Sequence, residues 1–136
     1  MTTVLAAEDP CPCGLARPYG RCCGALHDGS RKAQTAEQLM RSRYAAFAAG
    51  VADYLRTTLH PSMRRDFSLD LTREWIERTR WTGLSIIERS GGGPTDSEGT
   101  VRFEARYVED GENRVHRENS LFEKRRGVWY YVSALD

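Results

Sequence analysis

Hydrophobic residues in the middle of the chain recur every three or four positions, which is the spacing of one face of an α-helix. The positions that follow this spacing are Met40, Tyr44, Phe47, Val51 and Leu55. Gly50 interrupts the pattern, and Pro61 disfavours helix at the residue before it. We therefore predict one helix over residues 36–49 and a second, short helix over residues 51–58.

The ends of these helices carry residue types that commonly cap helices. Thr35 is expected to cap the first helix, and Gln38 stands where a capping box requires Glu or Gln. Asp70 or Thr72 is expected to cap a third helix that ends at Arg80. The residues expected on its buried side are Leu71, Trp75 and Ile76.

Beyond residue 80 the hydrophobic period shortens to two, which is typical of β-strands. Four strands are predicted, over residues 81–88, 100–108, 115–124 and 128–134. In the second strand apolar residues alternate with charged ones, so one face meets a core and the other meets water. Helices followed by hairpin-connected strands predict an α+β fold, with the helices packed on one face of a curved, mainly antiparallel sheet.

Length and composition fit one ordinary domain with a small appendage. Of the 136 residues 40% are hydrophobic and 29% are charged, which suits a single core with a solvated surface. We predict two units, residues 1–30 and residues 31–136. In the first unit, residues 1–9 are expected to form a frayed tail. Residues 10–27 hold every cysteine, and we name them the knuckle.

The charge pattern narrows the possible partners. The chain has 20 basic and 19 acidic residues, and their signs alternate instead of gathering in blocks. This balance disfavours sequence-independent binding of nucleic acid, which needs a basic excess on one face. The chain shows neither a signal peptide nor an apolar run long enough to span a membrane, so we expect a cytoplasmic protein without membrane contact.

The four cysteines of the knuckle predict a metal site. They are Cys11, Cys13, Cys22 and Cys23. Reducing conditions keep cytoplasmic thiols free, and four clustered thiolates are the ligand set of a structural zinc site. Adjacent cysteines point opposite ways in a strand, so Cys22 and Cys23 are expected in a turn or at a helix start. Arg17 and Arg21 are placed to offset the negative charge of such a site.

The cysteine cluster is also compatible with disulfides, a redox dithiol or chance. A vicinal bridge between Cys22 and Cys23 would be strained, and no C-x-x-C motif is present. Regulation by thiol oxidation with loss of the metal is a further hypothesis. His27 could replace a cysteine as ligand, but we expect it to be a surface residue.

The third predicted strand suggests a second site. Its alternate residues His116, Glu118, Ser120 and Phe122 share one face, which points to the concave side if Phe122 faces the core. The pocket candidates are Arg43, Tyr44, His60, His116 and Glu118. One hypothesis is a small-molecule site in which Glu118 or His116 acts as general acid or base. The other is a structural Arg43–Glu118 pair that ties helix to sheet. Five further aromatic residues could line the pocket, but their helical and strand spacing favours the core: Trp75, Trp81, Trp129, Tyr130 and Tyr131.

Two resemblances extend these predictions. The spacing C-x-C-x8-C-C-G resembles the SEC-C metal-binding motif, found at the carboxyl end of the bacterial preprotein translocase ATPase. The stretches MRSRYAAF, DYLRTTLHPS, WTGLSI, VRFEARY, HRENSLFE and GVWYYV resemble the YchJ-type family of uncharacterised bacterial proteins. That family pairs the knuckle with a domain similar to nuclear transport factor 2 and SnoaL, a cone-shaped α+β fold that encloses a pocket.

The chain departs from the motif in its loop. Leu15, Ala16 and Arg17 stand where the motif often has Ser-Gly-Lys, and the second knuckle of many family members is not found before residue 136. Because four protein ligands leave the metal no open position for chemistry, we expect a docking module that contacts another protein through a knuckle held by structural Zn²⁺. The alternative is small-molecule binding or enzymatic activity in the pocket.

Overall fold

The computed structural model describes residues 5–135, which form four α-helices and a four-stranded sheet. The helices are α1 (Cys23–His27), α2 (Ala36–Ala49), α3 (Ala52–Thr57) and α4 (Leu69–Arg78). The strands are β1 (Thr79–Gly91), β2 (Glu98–Glu109), β3 (Glu112–Arg125) and β4 (Val128–Ala134). Short 3-10 helices lie at Tyr19–Arg21 and Pro61–Asp66. The sheet is antiparallel in the order β1-β2-β3-β4, so the predicted α+β class is confirmed.

Tight turns make the strands longer than predicted. Asp110 and Gly111 both have positive φ, at 52° and 77°, and so do Arg126 and Gly127, at 51° and 79°. A two-residue turn with positive φ at both positions matches the twist of the flanking strands, so pairing continues up to the turn. The sheet pairing of β2 with β3 accordingly runs from Glu98↔Glu123 to Glu109↔Glu112.

Helix α2 has the ends that the sequence predicts. The Thr35 Oγ1 accepts a hydrogen bond from Gln38 N at 3.1 Å, and the Gln38 Oε1 accepts one from Gln34 N at 2.7 Å. In a standard capping box the Gln38 side chain would accept from the N–H of the cap, Thr35. Here it accepts from the N–H of the preceding residue, Gln34. At the other end Gly50 adopts φ of 79°, a left-handed conformation that costs glycine little.

Helix α4 begins earlier than predicted, and its buried face differs accordingly. Ser68 is the cap in place of Asp70 or Thr72, since its hydroxyl accepts from Leu71 N at 3.1 Å. The helix then places Ile76 in the core and leaves Leu71 65% exposed, so Leu71 was wrongly predicted to be buried. The helix ends at Arg78, and β1 starts at Thr79.

The main core lies between α2 and the concave face of the sheet. The buried residues of this core are Ala36, Leu39, Met40, Tyr44, Val101, Phe103, Ala105, Phe122 and Trp129. The α2 side chains recur at helical spacing and the strand residues alternate, as the sequence predicts. Burial of this apolar area is the main stabilisation of the domain.

The knuckle packs on the opposite side of α2. Cys13 and Ala45 are both fully buried and belong to one apolar cluster. The Arg41 Nη1 donates to the carbonyl oxygen of Cys13 at 2.6 Å. Helix α2 is therefore covered by the sheet on one side and by the knuckle on the other.

The predicted frayed tail is wrong for the part of it that the structure describes. Tyr19 N donates to the carbonyl oxygen of Asp9 at 2.7 Å, and Gly20 N donates to that of Ala7 at 2.9 Å. Residues 1–4 of that prediction lie outside the described residues. Ala7 and Asp9 are therefore part of the knuckle's backbone hydrogen bonding.

Candidate functional site

The four cysteine sulfur atoms converge at one point. All four lie within 4.8 Å of one another, and the Sγ atoms of Cys13 and Cys22 are 3.6 Å apart. Sulfur ligands at about 2.3 Å from a tetrahedral zinc ion lie about 3.8 Å from each other. The arrangement therefore fits a tetrahedral metal site, and the donors are thiols that a soft or borderline cation prefers.

Two turns bring the cysteine pairs together. Gly14 N donates to the carbonyl oxygen of Cys11 at 3.3 Å, and Gly14 has φ of 88°, which reverses the chain after Cys13. Cys22 follows a 3-10 turn and Cys23 begins α1, so the prediction that this pair lies at a helix start is confirmed. A side chain at Gly24 would come within 2.6 Å of the Tyr19 carbonyl oxygen, so the packing of this turn requires glycine.

His27 is a structural residue, and the prediction that it lies on the surface is wrong. The Nε2 of His27 lies 2.8 Å from the carbonyl oxygen of Ser42, which can only accept, so Nε2 carries the proton. The Nδ1 then accepts from the Tyr19 hydroxyl at 2.6 Å. Burial lowers the pKa of His27, which favours this neutral form. His27 thus joins the knuckle to α2.

A basic cleft of about 420 Å³ lies beside the cysteine cluster, between the knuckle, the connector to α2 and the start of α2. Its cationic lining residues are Arg17, Arg21, Arg31, Lys32 and Arg41. Leu15 and Leu26 supply apolar surface, and no lining residue is acidic. The cleft was not predictable from the sequence, because these cations come from three segments that the fold brings together.

A second cavity, of about 230 Å³, lies between α2, α4 and the concave face of the sheet. Its aromatic lining residues are Tyr44, Phe47, Trp75, Trp81, Phe103 and Tyr107. Its polar lining residues are Arg43, His116, Glu118, Ser120 and Tyr131. Trp129 is in the core as predicted, whereas Trp75 and Trp81 form part of the cavity wall.

Glu118 is held by three hydrogen-bond donors at one end of the cavity. Its Oε2 accepts from Ser120 Oγ at 2.6 Å and from the Tyr131 hydroxyl at 2.7 Å, and its Oε1 accepts from His116 Nε2 at 2.9 Å. Burial opposes ionisation, but these three bonds outweigh it and lower the pKa of Glu118 to about 2. The bond to Glu118 raises the pKa of His116. The carboxylate is therefore ionised at neutral pH.

Arg43 reaches the cavity but does not pair with Glu118. Its Nη1 donates to the carbonyl oxygen of Leu55 at 2.8 Å and to Thr58 Oγ1 at 2.7 Å. Its guanidinium lies over the ring of Tyr131, 4.6 Å from the ring centre, and the Tyr131 hydroxyl bonds Glu118. Tyr131 thus stands between the two groups, and the predicted direct ion pair is wrong.

His60 lies on the other face of the sheet, so its predicted place in the pocket is wrong. The segment around Leu59 forms a parallel bridge with Tyr131 on the edge strand β4. The next residue, His60, therefore meets the outward-facing Glu123, with Nε2 and Oε1 at 3.2 Å, and the ring of Tyr130. The other four candidates, Arg43, Tyr44, His116 and Glu118, line the cavity.

Comparison with known proteins assigns both parts of the chain. Residues 35–134 match the family model described as the YchJ middle NTF2-like domain, and residues 9–25 match the SEC-C motif. The chain belongs to the YchJ family. The predicted resemblance and the nuclear transport factor 2-like fold are thereby confirmed, whereas the predicted boundary near residue 30 stays a prediction.

Relatives in the YchJ family align along most of this chain. A UPF0225 protein of Geobacter sulfurreducens is 47% identical over 122 residues, which cover 90% of this chain and 76% of that protein. A UPF0225 protein of Streptomyces coelicolor is 45% identical over 123 residues, which cover 90% of this chain and 92% of that protein. The solution structure of a SEC-C motif containing protein from Rhodopseudomonas palustris superposes with a TM-score of 0.84 at 39% identity. The match covers 93% of this chain and 97% of that chain. The crystal structure of a SEC-C motif containing protein from Psychrobacter arcticus superposes with a TM-score of 0.80 at 27% identity. The match covers 93% of this chain and 82% of that chain.

Within residues 5–135 of this YchJ family member, no helix is long and apolar enough to cross a membrane. The strand spacing of Tyr131 favours a core position over a place in the pocket wall, but the residue lines the cavity. The two-residue turn at Arg126 and Gly127 sets the pairing of β4 with β3, which runs without a shift from Arg125↔Val128 to Phe122↔Tyr131 and so places Tyr131 on the concave face. The alternation of aromatic residues in β4 is a signal for that face, but the register is not readable from it.

Proposed function

We propose that this protein is a docking module in which a zinc ion, bound by Cys11, Cys13, Cys22 and Cys23, holds the knuckle in its binding conformation. The convergence of four sulfur atoms within 4.8 Å carries this proposal. Four protein ligands complete a tetrahedron, so the metal has no open position for substrate and its role is structural. A segment this short buries too little apolar area to fold without such a constraint.

The zinc assignment is tested by native mass spectrometry of protein purified without chelators. We expect one zinc per chain, and we expect Cys13→Ser to lower the zinc content and loosen the knuckle. Cys13 is fully buried, so Ser62→Ala, a change at an exposed hydroxyl, serves as the control. Less than one zinc per chain in the wild type, or full retention by Cys13→Ser, would contradict the assignment.

The basic cleft supports docking of an acidic segment of another protein. Five cations line it, and one of them, Arg41, is paired with Glu37 at 2.8 Å. A zinc ion with four thiolates carries a formal charge near −2, which leaves the cleft with a positive excess of about two. Guanidinium groups bind carboxylates in a fork, and Leu15 and Leu26 offer apolar contact between them.

Fluorescence anisotropy with a short labelled peptide of alternating Glu and Leu residues tests this docking. We expect Arg17→Gln with Arg31→Gln to weaken binding about tenfold, and we expect added salt to weaken it as well. Arg65→Gln with Arg73→Gln removes the same charge at exposed positions outside the cleft. An equal loss in the two double variants would contradict a role for the cleft.

The aromatic cavity favours a second candidate function, the binding of a small molecule by the nuclear transport factor 2-like domain. The cavity combines an apolar wall with a few convergent polar groups, which is the usual composition of a ligand site. Glu118, with its pKa at about 2, stays ionised and is a weak base. His116 is the lining group suited to proton exchange near neutral pH, and its side chain is 50% exposed at the rim. This arrangement supports binding over acid-base catalysis.

Crystallisation of the zinc-loaded protein at neutral pH, followed by mass spectrometry of an organic extract, tests this second function. We expect density in the cavity for a molecule that the extract also contains. A cavity filled by ordered water alone, in protein that binds no small aromatic probe, would contradict it.

A further inference from the structure

The size of the aromatic cavity limits its ligand to one ring with a substituent. Its volume is about 230 Å³. An apolar cavity of roughly 150 Å³ holds benzene, whereas sites for drug-sized ligands begin at about 300 Å³. Aromatic side chains on α2, α4, β1 and β2 form most of the wall, so a flat apolar body is the shape that fits.

Glu118 has little capacity left for a ligand. Its carboxylate already accepts from His116, Ser120 and Tyr131 within the protein. A ligand donor would have to compete with three short hydrogen bonds, two of them from groups that would themselves be left unsatisfied. The carboxylate instead fixes Tyr131 in place.

Arg43 has donors to spare. A guanidinium carries five N–H groups, and only Nη1 is used in the hydrogen bonds described for Arg43, which go to Leu55 and Thr58. Among residues 5–135 the one fully buried side-chain nitrogen or oxygen without a partner is Nε1 of Trp81. Arg43 lines the cavity, and its Nε and Nη2 are not among the fully buried atoms without a partner. Trp81 lines the same cavity. This part of the molecule therefore has more donors than acceptors.

From this imbalance we infer that the cavity binds a small, flat apolar molecule that carries one carboxylate or carbonyl oxygen, and that this oxygen accepts a hydrogen bond from Arg43. The inference rests on the second function proposed above and specifies its ligand class. The ring face of Tyr131 contacts the guanidinium, with Cζ 4.6 Å from the ring centre, and this contact uses none of the N–H hydrogen bonds that a ligand oxygen would accept.

Other ligand classes fit less well. A cationic ligand would find aromatic faces and the ionised Glu118, but three donors already occupy that carboxylate, and the ligand would meet the positive charge of Arg43 in the same cavity. A purely apolar ligand would leave Nε1 of Trp81 without an acceptor and would offer none to Arg43, which is unfavourable. An oxygen acceptor removes both difficulties, and an ionised acceptor gives the stronger hydrogen bond.

The test is an NMR titration of the zinc-loaded full chain, recorded as ¹H–¹⁵N spectra, with four probes that share one ring. Benzoate and acetophenone carry the acceptor, benzylamine carries a cation and toluene carries neither. We expect benzoate and acetophenone to shift the signals of cavity residues, with benzoate binding at least about tenfold more tightly than benzylamine. The side-chain Nε–H signal of Arg43 should shift with benzoate.

Two variants separate the role of Arg43 from general damage. Arg43→Met should weaken benzoate binding about tenfold or more and leave toluene within about twofold. Arg106→Met is the matched control, because Arg106 is partly buried on the outer face of β2 and bonds Ser85 at 3.0 Å. If Arg43→Met does not fold, the shift of the Arg43 Nε–H signal in the wild type decides the question in its place.

The outcomes distinguish the ligand class from the site itself. The ligand class would be overturned if benzylamine bound as tightly as benzoate. It would also be overturned if Arg43→Met left the affinity for benzoate unchanged and benzoate did not shift the Arg43 Nε–H signal of the wild type. In both cases the cavity would remain a binding site. No shift with any of the four probes would overturn both the ligand class and the proposed small-molecule function.

Discussion

Replacement of Glu118 by Gln tests the hydrogen-bond network of the cavity most directly. The variant keeps the shape of the side chain but removes its charge, and it turns one accepting oxygen into a donor that faces donors. The folded protein lowers the pKa of Glu118 from an ordinary value of 4.5 to about 2. A difference of that size corresponds to about 3 kcal/mol of stability at neutral pH. Since Gln retains some of the bonds, we expect a loss of about 2 to 3 kcal/mol at pH 7.

The pH dependence gives this prediction its sign. A lowered pKa stabilises the folded state above the ordinary value of 4.5, and the stabilisation is lost as the pH falls through about 2. The difference between wild type and Glu118→Gln should therefore shrink by more than half between pH 7 and about pH 3. Urea denaturation followed by tryptophan fluorescence measures it. The two proteins are compared in the same buffer, so that loss of metal at low pH affects both.

Glu104→Gln is the matched control for this measurement. Glu104 lies on the outer face of β2, where it pairs with the exposed Arg117 at 2.9 Å, and such exposed pairs contribute about 0 to 1 kcal/mol. The stabilising role of the Glu118 carboxylate would be refuted if Glu118→Gln cost no more than Glu104→Gln at pH 7. It would also be refuted if the cost of Glu118→Gln were the same at both pH values.

Three further predictions concern the same network and the attachment of the knuckle. Tyr131→Phe should lower the free energy of unfolding by about 1 to 2 kcal/mol and couple with Glu118→Gln in a double-mutant cycle, whereas additive losses would contradict the bond between them. The raised pKa of His116 should fall towards its ordinary value in Glu118→Gln, as followed by NMR titration, and an unchanged pKa would exclude Glu118 as the cause. His27→Phe should keep the ring but lose the bonds to Tyr19 and Ser42, so a chelator should remove the metal faster than from wild type; equal rates would contradict the role of His27.

The elements of the fold that depend on local pattern were predictable from the sequence. Helix α2 has the predicted ends, because its hydrophobic spacing, its Thr35 cap and the left-handed Gly50 all act within a few residues. The cysteine cluster was also predictable, since all four cysteines lie between residues 11 and 23. The shared face of His116 and Glu118 follows from strand alternation alone.

The features that depend on pairing between distant segments were not predictable. The side of the sheet that His60 occupies is set by the bridge between Leu59 and the edge strand β4, and no local signal marks that bridge. The gap between Arg43 and Glu118 depends on Tyr131, whose position follows from the pairing of β4 with β3. Residue types and their alternation thus predict most of the groups that line the cavity. The contacts between those groups depend on the pairing register of the strands, which must be known from the structure.

The double cover of helix α2 has a consequence for the amount of protein in a cell. Ser42 and Ala45 on its outer side are fully buried, and the knuckle contacts both of them. A chain that loses the metal, or one cut to begin at residue 31, would expose this side of the helix to water and to other unfolded chains. We therefore expect the yield of correctly folded protein to rise with the supply of metal during synthesis. Formation of the aromatic cavity should depend on the metal in the same way, although the cavity does not contact the metal site.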